Sequence, residues 1–216
     1  MPADQAAGLR RRACPAGQGT RQPLRYIHSI SDSPNPGVRL AHALYQLGRI
    51  PLLIDTQGRL FASSSPRSLF DWRHQLERRQ LHTLPQAYCE AWYAPGVRAD
   101  EPALFGMVGG YDDVIFDSEW DCADLALLPD VAHTVVMEIR RTDESMRNAY
   151  AVFKTLARSG VAFQAGLLGD RLACDHVQAA GCHFLGHEVV HAIFNVANEN
   201  DAFAALAVRM ADEERA

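Results

Sequence analysis

Three short, nearly continuous apolar runs constrain this chain more than any other feature: IPLLID (Ile50 to Asp55), DVIFD (Asp113 to Asp117) and VAHTVVMEI (Val131 to Ile139). A strand with one wet face alternates apolar and polar residues. A strand buried on both faces cannot, and such strands belong to parallel sheets covered by helices on either side. Helical patterns stand between the runs. After LRYIHSIS (Leu24 to Ser31), an alternating strand bounded by Pro23 and the turn-rich DSPNPG, the residues Val38, Leu40, Ala41, Ala43, Leu44 and Leu47 fall on a 3.6-residue stripe. Gly48 then stands where a helix C-cap belongs. Leu24 to Asp55 therefore reads as one βαβ unit.

The same alternation continues downstream. Thr142 to Ser159 carries Met146, Ala149, Tyr150, Phe153 and Leu156 on one helical face, a pattern that serves core packing better than a partner-facing stripe. Val161 to Leu168 and Val189 to Val196 read as two further strands, and Asp201 to Glu214 as a closing helix with Asp201 as its N-cap. Residues 61–102 are broken by prolines, with a polar helix candidate at Leu69 to Gln80. Strands alternating with helices predict an α/β fold, a doubly wound and mostly parallel sheet flanked by helices.

A chain of 216 residues, 48% of them apolar, buries one substantial core. Residues 24–216 form that domain in this reading. Residues 1–23 are too polar and too rich in Gly and Pro to pack, and read as a flexible arm. The whole chain is acidic, 21 Lys and Arg against 26 Asp and Glu for a net charge of −5, which argues against nucleic-acid and anionic-membrane binding. From Met1 to Arg25 the balance reverses: Asp4 is the only acid beside Arg10, Arg11, Arg12, Arg21 and Arg25. The five cysteines, Cys14, Cys89, Cys122, Cys174 and Cys182, form no CxxC pair, which fits a reduced cytoplasm. No secretion signal or membrane-length apolar stretch is present, so a cytoplasmic protein is expected.

Several strings, in order, resemble one family. DQAAGLR at Asp4 to Arg10 is similar to an N-terminal activator segment, and VRLAHALYQLGRIPLLID at Val38 to Asp55 to the helix and second strand that follow a phosphate loop. YDDVIFD at Tyr111 to Asp117 resembles a Walker B strand, and NAYAVFKTL at Asn148 to Leu156 a DAYALIK helix. Together they resemble the MinD/ParA group, and within it the flagellar-number regulators FlhG, FleN and YlxH. The likeness covers most of the chain outside residues 60–105, and implies a MinD-like P-loop NTPase fold.

The departure from that family is as informative as the match. Its members hold nucleotide on a KGGxGKT loop, whose backbone N–H groups and lysines neutralise the phosphates. The corresponding position, between Ile30 and Val38, reads SDSPNPG and is shorter. Pro34 and Pro36 each remove a donor, only Gly37 permits close approach, and the single lysine of the chain is Lys154. The resemblance thus implies a degenerate nucleotide site of Ser33, Gly37, Asp55 and Asp117, without ATP hydrolysis, cofactor or ATP-dependent dimer. Asp55 and Asp117 keep a nucleotide-binding sensor without turnover as one alternative. Together with Asp121 they also make a candidate carboxylate cluster for metal or base chemistry, though inherited strand-end acids with nothing left to coordinate are the favoured explanation.

In the resembled family the N-terminal helix enters the nucleotide site of an FlhF-type GTPase and stimulates it. Carried over, Gln5 positions the attacking water or a catalytic group of the partner, and Asp4, Leu9 and Arg10 fix the helix there. The implied function is regulation of flagellar biosynthesis by protein binding, to an FlhF-like GTPase or to another flagellar regulator or switch protein. A membrane-binding C-terminal helix is not expected, because the chain ends in ADEERA.

One motif points elsewhere. HEVVH, at His187 to His191, matches the HExxH pattern in which a helix presents two histidines to zinc and the glutamate activates water. That chemistry needs a helix, and the flanking β-branched and aromatic residues favour a strand. A zinc hydrolase using His187, Glu188 and His191 is the alternative reading from a different class.

Overall fold

The computed structural model describes residues 24–33, 35–55, 83–85, 110–120, 125, 127, 132–185 and 192–212. The arm, the Leu69 to Gln80 candidate helix, Asp121 and His187 to His191 lie outside these residues.

The elements run β1 (Arg25–Ile30), α1 (Asn35–Gln46), β2 (Pro51–Asp55), β3 (Thr83–Pro85), β4 (Asp113–Ser118) and β5 (Ala132–Ile139). Then come α2 (Asp143–Ser159), β6 (Phe163–Gly169), α3 (Arg171–Leu185), β7 (Ile193–Asn195) and α4 (Ala202–Asp212). The strands form one sheet in the order β3-β2-β4-β1-β5-β6-β7. Every pairing is parallel, so the expected mostly parallel sheet is entirely so among the described residues.

Helices cover both faces. On one, α1 and α4 pack Leu40, Leu44, Leu206 and Met210 against Ile27, Leu53, Ile115 and Val136. On the other, α2 and α3 bring Phe153, Leu156 and Val177 against Ile30, Val135, Met137 and Leu167. This two-sided cover is why the runs read from the sequence are continuously apolar.

The expected elements needed three corrections. The alternation in LRYIHSIS does not mark a wet face: all six residues of β1 are buried, since it is a central strand. Two of its polar members, His28 and Arg25, go inside with partners. The His28 ring stacks on Phe116 at 5.2 Å and lies 5.9 Å from His133. Arg25, counted above with the basic arm, is only 3% exposed and belongs to the sheet. The α1 stripe is narrower than expected, with Leu40 and Leu44 buried but Val38 and Leu47 more than two-fifths exposed. Finally, α3 and β3 were not read as elements from the sequence at all.

Helix ends follow the sequence signals more closely. Thr142 caps α2, its Oγ1 accepting from the Ser145 N–H at 3.2 Å, and Asp201 caps α4, its carboxylate accepting from the Ala204 N–H at 3.1 Å. Gly48 follows α1 with a left-handed φ of 82°.

Candidate functional site

In a doubly wound sheet a ligand site forms at the carboxyl ends of the strands where the strand order reverses, because adjacent connections there lead away to opposite faces. Here β1 and β4 are neighbours; β1 leads through α1 to β2 on one side, and β4 leads to β5 on the other. The crevice beyond Ile30 and Ser118 is therefore the candidate site.

The β1–α1 connection closes on itself. The Ser31 N–H donates to the Ser118 carbonyl at 3.1 Å, continuing the β1–β4 ladder for one more residue. The Ser31 hydroxyl donates to the Ser33 carbonyl and accepts from the Ser33 N–H at 3.3 Å. That amide, one of the few that an anion could have used, is committed to its own loop. Helix α1 then begins at Asn35, so Asn35, Pro36 and Gly37 stand in its first turn and not in an extended loop, as the sequence led us to expect. Proline is tolerated there, since an N–H in the first turn has no intrahelical partner to lose.

Gly37 has a different task from the one expected of it. A Cβ there would lie 3.3 Å from Leu53 Cδ1 and 3.6 Å from Ser29 Oγ, so the missing side chain lets α1 seat closely on β1 and β2. It serves helix-to-sheet packing. Asp55 and Asp117 are register partners on β2 and β4, and Asp117 is in turn opposite Ser29 on β1. The structure thus sets the two strand-end acids side by side on adjacent strands, and Asp117 is wholly buried.

Beyond these strand ends lies a cavity of about 260 Å³ lined by Asp32, Glu119, Trp120, Thr142, Glu144, Ser145 and Asn148. Three of the seven are carboxylates and none is a cation. Arg140 is near, yet it points to Asp32 in an exposed ion pair at 3.1 Å. The N-terminus of α2 borders the cavity, but its first turn carries Asp143 and Glu144, and Thr142 already satisfies the Ser145 amide. Acids in a first turn offset the positive end of the helix dipole. Ser145 itself is held in place, its hydroxyl accepting from the Arg140 N–H at 3.0 Å. In place of a phosphate cradle the described residues set two engaged amides, of Ser31 and Ser33, and carboxylates where lysines would stand. Lys154 is exposed on α2, roughly 18 Å along the helix from Thr142 by the rise per residue.

Sequence reasoning overlooked this acidic lining because its residues come from the ends of β1 and β4 and the start of α2 and share no motif. It also missed a buried cluster at the opposite, amino-terminal ends of the strands. Arg25 Nε lies 3.1 Å from Asp113 Oδ1, and Arg49 grips the same carboxylate at 2.5 and 3.0 Å. Arg25 also donates to the Met210 carbonyl at 2.6 Å, in the last turn of α4. The negative end of the α4 dipole thus faces the Arg25 guanidinium and adds to its stabilisation.

Asp4, Gln5, Leu9 and Arg10, and the His187, Glu188 and His191 motif, fall outside the described residues. Among the described residues no group of three or more His, Cys, Asp or Glu is placed to hold a metal ion. No helix there is long and apolar enough to cross a membrane. No family model matches this chain, and neither does any curated protein.

Proposed function

We propose that this chain is a non-hydrolysing regulatory protein of the MinD and FlhG type, acting by protein binding in flagellar biosynthesis, with an FlhF-like GTPase as its leading partner. One observation carries the reading: at the switch point of an all-parallel, doubly wound sheet, the β1–α1 connection is closed by Ser31 and Ser33 and faces Asp32, Glu119 and Glu144. A triphosphate entering that crevice meets like charge, and the Ser31 and Ser33 amides are already engaged. The scaffold supports descent from a nucleotide-binding ancestor, and the site supports the loss of its chemistry. What remains useful is surface, and the Asp4 to Arg10 segment, with Gln5 as its acting side chain, is the part that resembles a GTPase activator.

The test is a GTPase assay and pull-down with the FlhF-like protein of the same cell, comparing the wild type with Gln5→Ala. Stimulation by the wild type and its loss in the variant are expected. A wild type that neither binds nor stimulates defeats the arm mechanism.

A further inference from the structure

The sequence favoured core packing for the helical face of α2, and the structure divides that face. Phe153 and Leu156 are buried, whereas Met146 and Tyr150 are only partly covered. They open onto a groove of about 290 Å³ between α2 and α3, completed by Arg147, His176, Val177 and Ala180. Its floor is apolar, with a methionine that adapts its shape to what it meets and an aromatic ring with a polar tip.

The rim of the groove is basic. Arg147 and His176 line it. Both helices follow a parallel strand and precede another, so they run side by side in the same direction, and helical spacing extends the two walls together. Lys154 follows Tyr150 by four residues on α2, and His183 follows Ala180 by three on α3; both are exposed. Of the acids on these helices, Asp143 stands one turn before Arg147, whose Nε donates to the Asp143 carbonyl at 3.2 Å, and the other two face elsewhere. Glu144 lines the cavity at the strand ends, and Asp175 turns to Asn195 at 2.9 Å and to Arg171 at 3.9 Å. Arg147 thus lines the groove itself, and the helical spacing sets the only lysine of an acidic chain one turn further along the α2 wall.

We propose that the α2–α3 groove docks an amphipathic helix of a partner protein, whose apolar stripe enters over Met146, Tyr150 and Val177 and whose flanking carboxylates meet Arg147 and Lys154. Charge complementarity selects this occupant: an acidic helix is attracted to the rim, and a basic one is repelled. The proposal rests on the reading that the protein acts by binding, and gives that binding a surface on the body of the domain, separate from the arm.

The experiment uses the full chain and a labelled helical peptide with leucines at every third and fourth position flanked by glutamates, followed by fluorescence anisotropy. Binding by the wild type that weakens as salt rises is expected, with at least a roughly tenfold loss for the double variant Arg147→Glu, Lys154→Glu. Both positions are exposed, so the fold is retained; Tyr150→Glu, which places charge on the floor, is expected to lose binding as well. Equal binding of a peptide with lysines in place of the glutamates, or no effect of the double variant, overturns the proposal. So does a wild type that shows no binding up to about 1 mM peptide. A concentration-dependent dimer abolished by Tyr150→Glu overturns it in favour of a second copy, and anionic vesicles bound through Arg147 and Lys154 overturn it in favour of a membrane. Gln5→Ala leaves the groove intact, so lost GTPase stimulation with peptide binding retained counts against the arm alone.

Discussion

Arg25 and Asp113 begin adjacent parallel strands in register, and their side chains meet at 3.1 Å with 3% and 0% of their surface exposed. Among the described residues Asp113 holds both Arg25 and Arg49, and through Arg25 it ties the last turn of α4 to the sheet. Removing it takes a buried carboxylate from two buried guanidinium groups, which costs far more than the net worth of the intact cluster. Asp113→Ala is expected to destabilise the domain by about 3–5 kcal/mol, read as a fall in the urea midpoint with an unchanged slope. A loss below about 1 kcal/mol would mean that water or rearrangement compensates the arginines, and that the cluster is not closed as described.

Gly169 ends β6 with a φ of 105°, and a Cβ there would collide with the Ile139 carbonyl oxygen. Gly160, after α2, has a φ of 68°, and a Cβ added to it would meet nothing within 4 Å. The two differ in surroundings more than in backbone. Gly160→Ala should cost about 1 kcal/mol, the left-handed penalty alone, and Gly169→Ala at least about 2–3 kcal/mol, because the Asp170 N–H to Ile139 carbonyl bond at 2.8 Å must also shift. Thermal unfolding of the two variants side by side checks the ranking; equal losses would refute it.

ATP and ADP are expected to leave the protein unchanged. A ligand that binds the native state at about 1 mM with a dissociation constant of about 10 μM would add about 2.7 kcal/mol and raise the melting temperature by several degrees. With Asp32, Glu119 and Glu144 in the crevice, the expected shift is below about 2 °C, and calorimetry should record no heat. A clear, magnesium-dependent shift would restore the nucleotide-sensor reading and show that the Ser31 and Ser33 closure opens.

The parts legible in the sequence were those where one physical demand fixed many residues. Burial on both faces wrote β2, β4 and β5 as apolar runs, and Thr142 and Asp201 announced two helix starts through their side-chain oxygens. Helix α3 went unread because Ala173, Cys174, Val177, Ala180 and Gly181 are small and its exposed Leu172 blurs the stripe, so little apolar contrast marks the face. Arg25 was misplaced because charge in a sequence reads as surface. The distant Asp113 and Met210, 88 and 185 residues away, help to make it interior. The acidic cavity was invisible for the same reason: Asp32, Glu119 and Glu144 meet only once β1, β4 and β5 lie side by side.

Cys174 supplies a prediction about alkaline pH. Burial, reinforced by the negative charges of Asp175 and Asp170, pushes its thiol up to about 12 from the ordinary 9.0. Its Sγ donates to the Leu168 carbonyl at 3.2 Å, so the protonated form is also the one the fold uses. A thiol raised in the folded state keeps its proton where the unfolded chain has lost it. Its contribution is therefore fully present below pH 9 and declines by about 1.4 kcal/mol per pH unit as pH rises toward the folded value. Tyr111, raised by burial to about 12, acts in the same direction above pH 10. Urea unfolding at pH 8 and pH 10.5 should show a fall in stability that Cys174→Ala reduces, whatever that variant costs at pH 8. In native protein at pH 8, an alkylating reagent should modify the exposed Cys182 and spare Cys174. Rapid native labelling of Cys174, located by peptide mapping, would show that α3 opens far more readily than its packing on β6 allows.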